Sequence, residues 1–80
     1  MAEKMIKSPY PGTFYRRPSP DADVYVTEGD HVQPGDTVGL VEIMKNFYEV
    51  KSEESGVVNG FLVANEGLVE AGQDLIVLRD

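Results

Sequence analysis

The segment Val41-Glu42-Ile43-Met44-Lys45-Asn46-Phe47-Tyr48-Glu49-Val50 decides how this chain folds. It lies within Thr37 to Lys51, a run of strand-forming residues with no proline and no glycine beyond Gly39. Read as one strand at about 3.3 Å per residue, the run would extend roughly 50 Å. A domain of this length is only about 30 Å across. The chain must therefore reverse near the middle of the run. Asn46 is the best local turn former, because asparagine tolerates positive φ. The expected hairpin turns at Met44-Lys45-Asn46 and carries Lys45 at its tip. Tight hairpins prefer Asn-Gly, Asp-Gly or Gly-Gly, so Met-Lys-Asn is a poor turn sequence. Departures from local turn chemistry concentrate at functional positions. A lysine on a rigid hairpin tip is a highly accessible amine; the plainer alternative is an ordinary solvated lysine.

Outward from this segment, turn signals recur along the whole chain. They are Pro9-Tyr10-Pro11-Gly12, Pro18-Ser19-Pro20-Asp21, Glu28-Gly29-Asp30, Pro34-Gly35-Asp36, Ser55-Gly56, Asn59-Gly60, Asn65-Glu66-Gly67 and Ala71-Gly72. Between them lie short β-branched and aromatic runs: Met5 to Lys7, Thr13 to Tyr15, Val24 to Thr27, Thr37 to Ile43, Phe47 to Lys51, Val57-Val58, Phe61 to Val63 and Leu75 to Leu78. No helical stripe persists beyond a turn. The pattern predicts an all-β sandwich or barrel of short strands.

The chain also repeats itself. Ile6-Lys7-Ser8-x-x-x-Gly12 matches Val50-Lys51-Ser52-x-x-x-Gly56, and Val32-x-x-Gly35-x-x-Val38-x-Leu40-Val41 matches Val69-x-x-Gly72-x-x-Leu75-x-Val77-Leu78. Two matches in the same order predict a structural duplication, with halves running from Ile6 to Val41 and from Val50 to Leu78. Neither half has enough apolar surface to fold alone, so the two must share one core. The first half is the longer, and its excess lies near Arg16 to Asp23.

Composition narrows the function. The net charge of −7 argues against nucleic-acid binding, which needs clustered lysine and arginine; Arg16-Arg17 is the one basic pair. The absence of cysteine removes disulfides, thiolate metal sites and thiol catalysis. No apolar run approaches the roughly 18 residues of a membrane span, and MAEKMIKS carries no apolar leader. No membrane association and a cytoplasmic location are therefore expected. His31 has no nucleophile pattern around it, and Glu53-Glu54 and Asp21-Ala22-Asp23 lack the spacing of a calcium loop. Neither a metal site nor a phosphate-cradling glycine motif is expected.

Glu42-Ile43-Met44-Lys45 resembles the biotin attachment signature Glu-Ala-Met-Lys-Met. Its surroundings extend the likeness. Ser8-Pro9-x-x-Gly12-Thr13-Phe14-Tyr15-Arg16-x-Pro18-Ser19-Pro20-Asp21-Ala22, Gly35-Asp36-Thr37 and Ser55-Gly56-x-Val58 are similar to the biotinyl domains of the biotin carboxyl carrier family of acetyl-CoA carboxylase. The resemblance runs from about Met5 to Leu78. It implies that residues 1–80 form a single biotinyl/lipoyl-type domain. The implied fold is a barrel-sandwich hybrid, two four-stranded sheets related by a quasi-twofold axis. Covalent biotin on Lys45 is implied, with Glu42, Met44 and Asn46 forming the attachment turn. Pro18, Ser19, Pro20, Asp21 and Ala22 match a thumb-like loop that in this family reaches toward the attached biotin. Ile43 and Asn46 depart from the usual Ala and second Met, at positions a ligase must fit.

The implied role is that of a non-catalytic carrier. Biotin protein ligase would load Lys45, biotin carboxylase would carboxylate the biotin with ATP and bicarbonate, and a carboxyltransferase would take the carboxyl group onward, in acetyl-CoA carboxylase toward fatty acid synthesis. The domain itself would contribute an anchor and a high effective concentration at both active sites. Two alternatives remain open. One is an unmodified adaptor of the same fold; the other is a lipoyl-type carrier, against which Met44 speaks because lipoyl domains usually place Asp before the lysine.

Overall fold

Apolar residues alternating between turn signals give eight short strands in the computed structural model, which describes residues 3–80. They are β1 (Glu3–Lys7), β2 (Gly12–Tyr15), β3 (His31–Val32), β4 (Thr37–Ile43), β5 (Asn46–Lys51), β6 (Gly56–Phe61), β7 (Gly67–Val69) and β8 (Asp74–Arg79). Two antiparallel four-stranded sheets result, ordered β1-β8-β6-β3 and β5-β4-β2-β7. Advancing every strand by four in the chain converts the first order into the second, as a quasi-twofold duplication demands.

The repeat is equally visible in detail. Ser8 and Ser52 are the buried polar residues among those described, and each satisfies its hydroxyl on the carbonyl two residues on: Ser8 donates to Tyr10 O at 2.6 Å and Ser52 to Glu54 O at 2.5 Å. Each serine carbonyl accepts from the glycine of the opposite half, Gly72 N at 2.7 Å and Gly35 N at 2.8 Å. Both glycines hold positive φ, 83° and 96°, which is why glycine recurs there. Both long strands bulge at matched positions too. Val38 is skipped in the β4–β5 ladder and Leu75 in the β1–β8 ladder, and both side chains are fully buried.

The inner faces of the two sheets supply one core, including Ile6, Phe14, Val32, Val38, Val41, Val50, Val58, Val69, Leu75, Ile76 and Leu78. Phe14 is its largest member, and Gly39 makes room for it. A Cβ on Gly39 would lie 2.5 Å from Phe14 Cε1.

Two sequence expectations fail. Val24 to Thr27 is not a strand. Tyr25 N bonds to Arg16 O at 2.9 Å, and Val26 turns into the core while its carbonyl accepts from the Arg16 side chain. The backbone is thus satisfied by one residue at the base of a loop rather than by a neighbouring strand. Asn59-Gly60 is a bulge inside β6 and not a turn: Val58 pairs with Leu78 and Gly60 with Val77, so the strand continues along the same partner. Phe61 therefore ends β6, and Leu62-Val63 lies beyond it.

Candidate functional site

The ladder between β4 and β5 runs to Ile43 opposite Asn46, which leaves a two-residue turn, Met44-Lys45. The reversal is thus one residue tighter than the sequence suggested, and Asn46 is the first residue of β5. Burial fixes this. Val41 and Val50 are both fully buried in the core, and a one-residue slip would turn Val50 to solvent. A two-residue hairpin turn of the type I′ class has positive φ at both central residues. Met44 (φ 50°) and Lys45 (φ 70°) adopt it, at a cost of about 1–2 kcal/mol per non-glycine residue.

Met44 is 90% exposed. Lys45 is exposed as well, and among the described residues its amine is in no ion pair within 4.0 Å. Ile43, the bulky departure from the attachment signature, turns inward and packs on the core. It anchors the base of the ribbon. Asn46 is exposed beside the lysine.

The outer face of this sheet braces the ribbon. Glu42 lies between Thr13 on β2 and Phe47 on β5. Its Oε1 accepts from the Tyr15 hydroxyl at 2.8 Å, and the Tyr15 and Phe47 rings are tilted with centroids 6.2 Å apart. The hydrogen bond to Glu42 raises the Tyr15 phenol above its ordinary value; burial and the charges of Glu42 and Glu66 push the same way.

The predicted thumb-like loop leaves the end of β2. Its base is fixed by Arg16, whose backbone N donates to Asn65 Oδ1 at 2.8 Å and whose guanidinium lies 3.9 Å from the Phe61 ring centre. Its tip is a turn in which Ala22 N donates to Ser19 O at 3.1 Å, with Pro20 and Asp21 at the corner. The loop lies over the sheet's outer face and encloses a cleft of ≈250 Å³ lined by Tyr15, Arg17, Pro18, Ser19, Pro20, Leu40, Phe47, Asn65 and Glu66. Leu40 points outward with Tyr15 yet is nearly buried, because it forms part of the cleft.

The structure therefore gathers Glu42, Met44, Lys45 and Asn46 at one end of the β4–β5 ribbon, with Pro18, Ser19 and Pro20 over the cleft beside it. Asp21 and Ala22 complete the loop's turn without lining the cleft. Sequence reasoning did not single out Tyr15, Leu40, Phe47, Asn65 and Glu66 as site residues, and noted Arg17 only in the Arg16-Arg17 pair and within the excess of the first half. The strand alternation that puts Tyr15, Leu40 and Phe47 on one face was the available signal. His31 is exposed on β3, and no group of three metal-ligating side chains occurs among the described residues. Among the described residues no helix is long and apolar enough to cross a membrane.

Comparison with known proteins bears on the fold and on the family. Residues 4–78 match the family model described as biotin-requiring enzyme. The biotin carboxyl carrier protein of acetyl-CoA carboxylase from Haemophilus influenzae is 39% identical over 75 residues, which are 94% of this chain and 48% of that protein. The protein of the same name from Chlamydia trachomatis is 43% identical over 70 residues, 88% of this chain and 43% of its own length. The chain thus spans about half the length of these relatives. Among solved structures, the urea carboxylase of Kluyveromyces lactis superposes with a TM-score of 0.77 at 32% identity, over 99% of this chain and 6% of that one.

Proposed function

Because the chain belongs to the biotin-requiring enzyme family of biotin and lipoyl attachment domains, we propose that it is a biotin carboxyl carrier domain with Lys45 as the attachment residue. The carrying observation is the Lys45 amine on a two-residue turn held at positive φ and braced from below by Ile43, Glu42 and Tyr15. The residues present fit a tethered cofactor. The amine is exposed, and Phe47, two residues along β5, lines a partly enclosed cleft. Two strand residues span only about 7 Å, so a group on the flexible lysine stem can both enter the cleft and swing clear of it.

Attachment requires Lys45 to lose its proton and attack the acyl carbon of an activated biotin, forming an amide as the activating group leaves. The rigid turn presents that amine to a ligase in one orientation, with Met44, Asn46 and Glu42 as the surrounding surface. Biotin, once bound, supplies a ring nitrogen that accepts and releases a carboxyl group. The domain's own residues do no bond chemistry thereafter. They anchor the group, and the loop from Pro18 to Ala22 offers it a resting place against Tyr15 and Phe47. A biotin carboxylase and a carboxyltransferase, most simply those of acetyl-CoA carboxylase, are the partners this reading implies. The relatives' names support it.

The test is the intact mass of the chain after incubation with a biotin protein ligase, ATP and biotin. One biotinyl increment is expected in the parent chain and none in Lys45→Arg. An unmodified parent chain would favour an adaptor of the same fold.

A further inference from the structure

The two adjacent arginines of the first half are used differently. Arg16 is consumed by the fold: its guanidinium bonds to Val26 O at 3.3 Å and rests on the Phe61 ring. Arg17 instead lines the cleft under the loop; its Nε, like that of Arg16, is shielded from solvent with no hydrogen-bond partner, and no further contact among the described residues ties its guanidinium to the fold. No carboxylate among the described residues lies within 4.0 Å of it, although Glu66 shares the cleft and Glu42 is tied up by Tyr15. The chain bears a net charge of −7, so an arginine left unpaired beside so many acids is a placed charge in search of a planar anion.

Resting on the carrier reading above, we propose that Arg17 pairs with the carboxylate that the attached biotin carries as cargo. Arginine's fork of donors matches a carboxylate. The apolar walls of the cleft, Leu40, Phe47 and Pro18, suit the neutral ring system that bears it. Loss of the cargo breaks the bond between ring nitrogen and carboxyl carbon and releases CO2. The electron pair stays on the nitrogen, which takes a proton from water. An ion pair that stabilises the carboxylate raises the barrier to that loss. Arg17 thereby keeps the cargo on the carrier during transit between active sites, and acts as a specificity-determining residue for the loaded over the empty form.

The experiment follows the lifetime of the label after the biotinylated chain is carboxylated with a biotin carboxylase, ATP and labelled bicarbonate and then freed of that enzyme. The parent chain is compared with Arg17→Gln and Arg17→Lys, all first checked for one biotinyl increment and for an unchanged Ala22 amide resonance. The expected result is label loss about fivefold faster in Arg17→Gln, with Arg17→Lys between the two. High salt should erase the difference, and the Arg17 Nε–H resonance should move further on carboxylation than on biotinylation. Equal lifetimes in parent and Arg17→Gln, with a resonance that carboxylation does not move further, would overturn this proposal alone. Failure of the parent chain to take any biotin would overturn the carrier reading and this proposal together.

Discussion

The β4–β5 ribbon and its counterpart, the β8–β1 pair, are built from the same parts and finished differently. Both ladders bulge at a buried residue, Val38 or Leu75, and both run into a buried serine, Ser52 or Ser8. At the far end the β1–β8 ladder is followed to Glu3 opposite Arg79, whereas β4 and β5 are closed by Met44-Lys45. A second divergence lies where the two halves cross over. Between Phe14 and Thr27 the first half inserts the loop that covers the cleft; between Val58 and Ala64 the second has only the Asn59 bulge. Symmetry thus accounts for the scaffold, and the two places where symmetry is broken account for the candidate site.

The largest effect that tests this comparison sits in the core. Phe14 N-terminally and Val58 C-terminally occupy matched positions: Gly29 N bonds to Val58 O and Glu66 N to Phe14 O, at 2.8 and 2.7 Å. Phe14→Ala should cost about 3–5 kcal/mol, a large part of the roughly 4–12 kcal/mol expected for a chain of this length. Val58→Ala should cost less, about 1.5–3 kcal/mol, with both read from urea midpoints.

Next in size are the serines. Ser8→Ala and Ser52→Ala should each lose about 1–2 kcal/mol, and by equal amounts. A loss confined to one serine would break the equivalence of the halves.

The turn lies outside the matched halves and should respond in the opposite sense. Met44→Asn places at φ 50° a residue that tolerates it, and should raise stability by about 1 kcal/mol. An unchanged or lowered midpoint would mean that the turn is not strained.

The smallest effect is that of pH. The Tyr15 phenol is raised from 10.0 by Glu42, so the folded state holds its proton more tightly than the unfolded chain. Its contribution is fully present below the unfolded value and is lost as pH rises through the higher folded value. The stability of the parent chain should therefore fall more steeply than that of Tyr15→Phe in alkaline titrations, and match it in slope near neutrality.

Much of the scaffold could be read from spacing. Ser8 and Ser52, Gly35 and Gly72, and Val38 and Leu75 stand at the matched positions that the sequence repeat assigned to them. The run from Thr37 to Ile43 became one strand, and the excess of the first half became the loop. What escaped was set by pairing across the chain. The turn fell one residue before Asn46 because the register of Val41 and Val50, and not local preference, chose it. Val24 to Thr27 had the composition of a strand, but Arg16 claimed its backbone. The bond between Tyr15 and Glu42 joins residues 27 apart in sequence, and only the paired sheet brings them onto one face. The setting of Arg17 was hidden for the same reason, since its surroundings come from β2, β4, β5 and the Asn65-Glu66 turn.

The central claim is that broken symmetry marks the site. Peptide mapping of the chain after treatment with a biotin protein ligase, ATP and biotin tests it most directly. Lys7 and Lys51 hold matched positions in β1 and β5, and Lys45 lies outside both matched halves. The account predicts biotin on Lys45 alone, with Lys4, Lys7 and Lys51 unmodified. Biotin on Lys7 or Lys51, or retained in Lys45→Arg, would contradict it.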